Sequence, residues 1–246
     1  MKFSVCIAVY NGEEYLKQQL ISILEQLNID DEVIVVNDKS SDDSLNIINL
    51  LCDKRITVIN NETNLGVVRS FEKALIQTSG DIIFLSDQDD IWMPRKIEVI
   101  SKYMMESQCR AVVSDALVID GQEEVICDSY FTLRQSGPGI WKNFYRNSYI
   151  GCCMAIRSDV KPFILPFPKS IPMHDAWIGM VCDLLGEVKF LPEQLVSYRR
   201  HLANQSELQG KDWNKMIYKR FVWLRLMAVE LPKLWLKIIL NKIICA

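Results

Sequence analysis

The first 86 residues alternate between two patterns. "KFSVCIAVY", "DEVIVVND", "ITVINN" and "DIIFLS" are short apolar runs rich in Val and Ile, of the length of buried strands. Between them lie segments of helical spacing. "EEYLKQQLISILEQL" repeats Tyr15, Leu16, Leu20, Ile23, Leu24 and Leu27; "SLNIINLLC" and "VRSFEKALIQTS" follow, the last stopped by Gly80. Asn11-Gly12 and "KSSDDS" mark turns and helix starts. Strands alternating with helices at this rhythm imply an α/β fold, a mostly parallel sheet with helices on both faces. Ligands of such sheets bind beyond the carboxyl ends of the strands. Tyr10-Asn11, Asn37-Asp38 and Asp87–Asp90 all fall at strand ends, so they are expected along one edge.

The fourth run ends in "FLSDQDDIW", three carboxylates within four positions between apolar flanks. Like charges this close repel one another and lose hydration, so a positive partner is expected. Mg²⁺ and Mn²⁺ take oxygen ligands, and Mg²⁺ typically binds through one or two carboxylates together with substrate phosphates. An EF-hand needs a 12-residue ligand loop with a central Gly, and Ile91-Trp92 interrupts any such loop. The plainer alternative is a solvated acidic turn. Neither G-x-G-x-x-G nor GxxxxGK[ST] occurs, which disfavours Rossmann dehydrogenases and P-loop enzymes. A bound diphosphate would rely on metal and basic side chains.

Past Trp92 the reading is a helix opening at Pro94, a strand "CRAVVSDALVID", a turn "DGQE", and a loop-rich region 128–172. Within that region "YIGCCMAIRSD" reads as a strand. "DAWIGMVCDLLG" is a helix closed by Gly186, and "EVKFLPEQLVSYRRH" is strand-like. Composition, 49% hydrophobic and 24% charged, suits a sizeable core. The eight cysteines have no paired spacing, and with two His zinc is the weaker reading. They read as free thiols of a reducing compartment, hence a cytoplasmic chain. The apolar stretch Phe3–Val9 is too short for a signal-peptide core, and no run of 18 uncharged apolar residues predicts a membrane span.

Charge is uneven. Residues 211–246 hold eight Lys and Arg against Asp212 and Glu230, a net of +6, which leaves −9 for residues 1–210 of a chain at −3. Nucleic acid is not expected as a partner. The tail mixes Trp, Leu and Ile with Lys and Arg, the pattern of a helix lying at a membrane interface. A partner helix or a homodimer contact is the alternative, and Pro232 should divide the segment.

"SVCIAVYNGEEYLKQQLISILEQ", "DEVIVVNDKSSDDS", "NETNLGVVRSFEKAL", "SGDIIFLSDQDDIW", "MHDAWIGMV" and "YRRHLANQS" occur in order. As a set they resemble family 2 glycosyltransferases of the GT-A fold, most closely over residues 1–115. The resemblance implies one GT-A domain over 1–210, a nucleotide-sugar half (1–115) and an acceptor half (116–210), followed by the helical tail 211–246. It assigns nucleotide-sugar binding to Ala8, Tyr10, Asn11 and Glu13, with Tyr10 stacked on a pyrimidine, and to Asp38, which would accept from the N3–H of the base. The chain reads Asn37-Asp38-Lys39-Ser40 where members usually read Asp-Asp-Gly-Ser, which suggests a different turn. For Asp38 a helix N-cap is the rival role. Arg69 would reach base or phosphate, or is simply a surface Arg.

Asp87, Gln88 and Asp89 fall in the family's DxD region. Asp87 or Asp89 would contact ribose, and Asp89, Asp90 and His201 would surround Mn²⁺ or Mg²⁺. Arg199 and Arg200 would bind diphosphate. Asp175 in "PMHDAW" matches the general base of inverting members, the alternative being a carboxylate that only stabilises a helix N-terminus. Gly151, His174 and Trp177 would line the acceptor pocket. The function implied is transfer of a hexose or deoxyhexose from a UDP- or dTDP-sugar to a saccharide or lipid-linked acceptor, as in bacterial surface-polysaccharide assembly, with a possible seat at the inner face of the cell membrane. The motif set is similar to enzymes described as rhamnosyltransferases, and glucosyl and galactosyl enzymes share it. A sugar nucleotidyltransferase is a rival, but would open with a glycine- and arginine-rich loop. A catalytically inactive sugar-nucleotide-binding protein is the non-enzyme alternative.

Overall fold

The computed structural model describes residues 1–145, 147–186 and 188–201, with 220, 222, 224–226, 228–230, 232–237 and 239 of the tail. The family motif beyond His201, the tail up to 219 and residues 240–246 lie outside the described residues. The N-terminal half is built from β1 (Phe3–Val9), α1 (Leu16–Leu24), β2 (Glu32–Asn37), α2 (Ser44–Leu50), β3 (Ile56–Asn60), α3 (Val67–Gln77) and β4 (Ile82–Ser86). A two-residue strand β5 (Ile91–Trp92), α4 (Lys96–Ser107), β6 (Ala111–Asp120) and β7 (Val125–Cys127) follow. The loop-rich stretch contains the short helices α5 (Tyr130–Arg134), α6 (Ile140–Tyr145) and α7 (Lys161–Ile164) around β8 (Met154–Arg157). α8 (His174–Leu185) and β9 (Val188–Arg200) complete the domain.

Among the described residues the strands form one sheet in the order β3-β2-β1-β4-β8-β6-β9-β5, with β7 paired to β6. β3, β2, β1 and β4 are mutually parallel, as their crossover helices require. The second half is mixed rather than mostly parallel. β8 runs antiparallel to both β4 and β6, β9 parallel to β6, and β5 antiparallel to β9. Only short helices lie between β6 and β8, so no crossover helix returns the chain in the same direction. The expected division near residue 115 falls inside β6, so one sheet runs through both halves.

The sheet separates two cores by the period of two of its strands. Cys6, Ile83 and Leu85 face a cluster with Phe71, Ala74 and Leu75 of α3 and Ala176, Trp177 and Ile178 of α8. Val5, Ile7, Val9, Ile82 and Phe84 face a cluster with Leu16, Leu20 and Ile23 of α1 and Ile97, Ile100 and Met104 of α4. Strands buried on both sides are apolar at nearly every position, which is why β1, β2 and β4 read as unbroken runs. β5 and β7 escape sequence patterning because two or three residues carry no period. Residues 151–153 form a 3₁₀ turn, so only the end of "YIGCCMAIRSD" is strand. The described cysteines are unbridged.

Phe84 is fully buried, with its ring centroid 6.0 Å from that of Phe3 and 5.5 Å from that of Trp92. Phe84→Ala is expected to lower unfolding free energy by about 3–5 kcal/mol, read from urea denaturation.

Candidate active site

Parallel pairing sets Val9 beside Asn37 and Ile7 beside Ser86, so the chain leaves β1, β2 and β4 along one edge. Tyr10 is 45% exposed there, with a ring open to a stacking partner. Its backbone is held by a reciprocal clasp: Tyr10 N–H donates to Gln88 Oε1 at 2.8 Å, and Gln88 Nε2 donates to the Tyr10 carbonyl at 3.2 Å. The close approach explains Gly12, where a Cβ would lie 2.7 Å from the Gln88 amide carbon. Gln88, expected at the ligand, thus joins the first strand's end to the acidic loop. Asn11 and Glu13 also act on the frame. Asn11 Oδ1 accepts from Ser41 N–H at 2.9 Å, and Glu13 Oε2 from Asp43 N–H at 2.8 Å, fastening this loop to the β2–α2 turn. Ala8 is part of β1, paired with Val36.

Lys39 adopts φ 66°, the left-handed region that glycine favours. The turn therefore has a glycine-type backbone with a lysine in it. Asp38 is buried, and its carboxylate receives Leu65 N–H (2.8 Å), Gly66 N–H (2.8 Å) and Asn61 Nδ2 (2.7 Å). It does not cap α2, whose N-cap is Asp43; it holds the loop that opens α3 at Gly66. Arg69 likewise bonds within the protein. It pairs with Glu72 at 2.5 Å and donates to the Phe167 and Pro168 carbonyls at 3.2 Å each, tying α3 to that segment.

The acidic loop meets positive charge from inside. Lys96 is fully buried at the start of α4, 4.1 Å from the Trp92 ring centroid, and donates to the Cys152 carbonyl at 2.7 Å. Burial draws its pKa down to about 8, while Cys153, Cys152, Asp90 and Asp87 pull the other way. On the other side lies Arg199, 1% exposed. Its backbone N–H donates to Asp90 Oδ1 (2.9 Å), its Nε to the Asp89 carbonyl (2.9 Å) and its Nη2 to Gln18 Oε1 (2.9 Å) and Glu123 Oε1 (3.3 Å). The guanidinium also stands 4.5 Å from the Tyr15 ring. Arg199, expected to hold diphosphate, is a clamp on the loop instead, because every one of these partners belongs to the protein. Arg200 is half-buried, its Nη1 3.1 Å from the Tyr198 hydroxyl.

Two donor sets result. Asp87, Asp90 and Cys152 place one ligand atom each within 4.8 Å of the others, and Asp90 Oδ2 has no hydrogen-bond partner among the described residues. Burial, then Asp89 and Asp175, raise the Asp87 pKa to about 7, and burial raises Asp90 further. A hard dication there would meet the Lys96 ammonium and a thiol that burial keeps protonated. The second set is Asp89 and His201, whose carboxylate oxygen and ring nitrogen lie 2.9 Å apart with about 15% of each side chain exposed. The carboxylate of this pair suits Mn²⁺ or Mg²⁺, and the imidazole suits Mn²⁺ better than Mg²⁺. Asp90, expected at the metal, is buried, with Oδ1 accepting from Arg199 N–H and Oδ2 left without a partner among the described residues, as a ligand atom would be.

Asp175 sits in the first turn of α8, 8% exposed. Burial raises its pKa to about 6, against hydrogen bonds from Ala176 N–H, Gly151 N–H and Asn147. A Cβ at Gly151 would lie 3.7 Å from Asp175 Cβ, and the next residue, Cys152, groups with Asp87 and Asp90, which puts Asp175 beside the acidic loop. His174 is buried and stacked on Phe71 with ring centroids 3.9 Å apart; burial takes its pKa to about 3, so the ring is neutral. Gly151 makes room for that imidazole, since a Cβ would lie 2.9 Å from His174 Nε2. Trp177, expected in the acceptor pocket, is 3% exposed and donates its indole N–H to the Ile164 carbonyl at 3.0 Å. It is a core residue. So are Gly151 and His174 packing residues, one layer behind Asp175.

Lys96 and Cys152 escaped the sequence reading. A signal for Lys96 existed: it shares the stripe of Ile100 and Met104 at helical spacing, a cation where an apolar side chain is expected. Nothing in sequence spacing ties Cys152 to residues 87–90.

The solved structure of Staphylococcus aureus TarS 1–349 in complex with UDP-GlcNAc superposes with a TM-score of 0.71 over 92% of this chain and 67% of that one, at 18% identity. The fold is therefore that of GT-A glycosyltransferases. The family model for Glycosyl transferase family 2 matches residues 4–160, more than half of the chain, and the chain belongs to that family. An uncharacterized glycosyltransferase of Nostoc is 27% identical over 83% of this chain and 66% of its own length. The Escherichia coli UDP-Glc:alpha-D-GlcNAc-diphosphoundecaprenol beta-1,3-glucosyltransferase WfgD is 27% identical over 73% of this chain and 70% of its own. The chain thus spans about two thirds of the length of these proteins.

Arg199→Leu is expected to lower stability by roughly 3 kcal/mol, because it removes a buried guanidinium with its bonds to the Asp89 and Gly121 carbonyls and its contact with the Tyr15 ring. Arg200→Leu should cost less, about 1 kcal/mol, for a half-buried side chain bonded to the Tyr198 hydroxyl. Denaturant titration of both variants measures the contrast.

Proposed function

We propose that this protein is an inverting, metal-dependent glycosyltransferase that moves a hexose or deoxyhexose from a nucleoside-diphosphate sugar to a saccharide acceptor in surface-polysaccharide synthesis. The observation that carries the reading is Asp175, a carboxylate in the first turn of α8 that lies against Gly151, next to Cys152, whose Sγ is grouped within 4.8 Å with Asp87 and Asp90 of the acidic loop. WfgD, whose name pairs UDP-glucose with a diphosphoundecaprenol-linked acceptor and a β-linked product, supports a UDP donor and a lipid-linked acceptor.

In this reading Tyr10 stacks on the pyrimidine, while Asp38 and Arg69 shape the pocket by holding the loops around it. Asp87 receives a ribose hydroxyl, and Arg200 faces the diphosphate. Asp89 and His201 hold Mn²⁺ or Mg²⁺, which when bound neutralises charge on the diphosphate as it leaves. Asp175 takes the proton of the acceptor hydroxyl as that oxygen bonds to the anomeric carbon from the face opposite the departing diphosphate. A single displacement of this kind inverts the anomeric centre.

A base must be unprotonated to act, so kcat is expected to rise as pH increases through about 6 and to level off above it. Asp175→Asn should retain donor binding and lose about 10²–10⁴-fold in transfer. Calorimetry with UDP sugars and product analysis by NMR measure both, and a retained anomeric configuration would overturn the inverting assignment. His201→Ala is expected to weaken Mn²⁺ binding at least about tenfold, read by electron paramagnetic resonance of free Mn²⁺.

A further inference from the structure

Between residues 220 and 239 the backbone is helical at each described position, and the apolar residues there divide into a covered set and an exposed set. Leu226 and Leu234, 5% and 4% exposed, join the core cluster that contains Ile164 of α7 and Trp177 of α8, with Val222 partly buried against it. Lys237 Nζ donates to the Pro162 carbonyl and fastens the helix to α7. One face is thus taken by the protein. The opposite face presents Leu224, Ala228, Val229, Pro232, Trp235, Leu236 and Ile239 outward, with Trp235 57% and Leu236 60% exposed. Arg225 and Lys233 are exposed beside this stripe.

We propose that this outward stripe is a binding surface for an anionic phospholipid bilayer, on which the helix lies flat. A second copy of the chain would also cover apolar side chains, but charge separates the two occupants. The last 36 residues carry +6 and the rest −9. The described tail positions carry Arg220, Arg225, Lys233 and Lys237 against Glu230, a net of +3; stripe against stripe would bring two like-charged surfaces together, whereas an anionic lipid surface attracts the tail and repels the body. No helix among the described residues is long and apolar enough to cross a membrane, and Leu226 and Leu234 are already buried in the core cluster. A helix so placed sits at the interface, Trp and Leu entering the acyl boundary and Lys and Arg reaching the headgroups. The bilayer would then adjoin the half of the molecule that carries Asp175, within reach of an acceptor borne on lipid.

The full chain is tested by flotation with phosphatidylcholine vesicles and with vesicles that contain about one quarter phosphatidylglycerol. The expected result is flotation with the anionic vesicles, weaker recovery with the zwitterionic ones, and a several-fold drop in about 0.5 M salt. Trp235→Ser combined with Leu236→Ser should reduce partitioning about tenfold or more while melting temperature and donor hydrolysis stay unchanged, since both side chains are exposed. Recovery in the soluble fraction with anionic vesicles overturns the proposal. So does a dimer, seen by light scattering, that the double variant converts to monomer without any vesicle binding. No sugar enters the flotation measurement, so its outcome stands apart from the donor assignment.

Discussion

Two cations without access to water hold the acidic loop in place. Asp87, Asp89 and Asp90 are delivered by a strand buried on both faces, where unpaired carboxylates would be expelled or protonated. Lys96 approaches from α4 and Arg199 from β9, both essentially fully buried. Each bonds mainly to backbone carbonyls and neutral groups near the acids: Lys96 to Cys152, Arg199 to Asp89 and Gly121. The arrangement fixes the loop without saturating every carboxylate oxygen.

Around this loop the polar residues divide by partner. Gln88, Asn11, Glu13, Asp38, Arg69 and Arg199 bond to other loops and set the positions of the strand ends. Tyr10 keeps an exposed ring, and Asp89 and His201 bond to each other. Asp175 is buried enough for its pKa to rise and lies against Gly151, beside Cys152 of the acidic group. Its neighbours His174 and Gly151 pack behind it, so the helix start is held by apolar contact and not by competing charge. A neutral imidazole there leaves the carboxylate's basicity to burial, set against hydrogen bonds from Ala176, Gly151 and Asn147.

Much of the N-terminal half was legible because β1, β2 and β4 are buried on both sides and the helices on one. Those periods survive in the residue order, and β1 to β4 with α1 to α3 fell where they were expected. The second half was less legible for a physical reason. β8 pairs antiparallel with two strands distant in sequence, β5 has two residues, and α5 to α7 are too short to show a period. Site residues followed the same division. Residues at strand ends were placed by topology, whereas the tasks of Arg199, Trp177 and Asp90 depended on which partners surround them.

The residue order by itself determined the alternation of strand and helix, the gathering of Tyr10, Asp38 and Asp87–Asp90 at one edge, and the contrast between acidic body and basic tail. All three are local properties, carried by period, turn chemistry and charge count. Only the tertiary structure decided which cation meets the acids, which polar groups frame the site, and which face of the tail is covered. Those outcomes rest on contacts between residues as far apart as Asp90 and Arg199, and burial is a property of the folded surface that no short stretch contains.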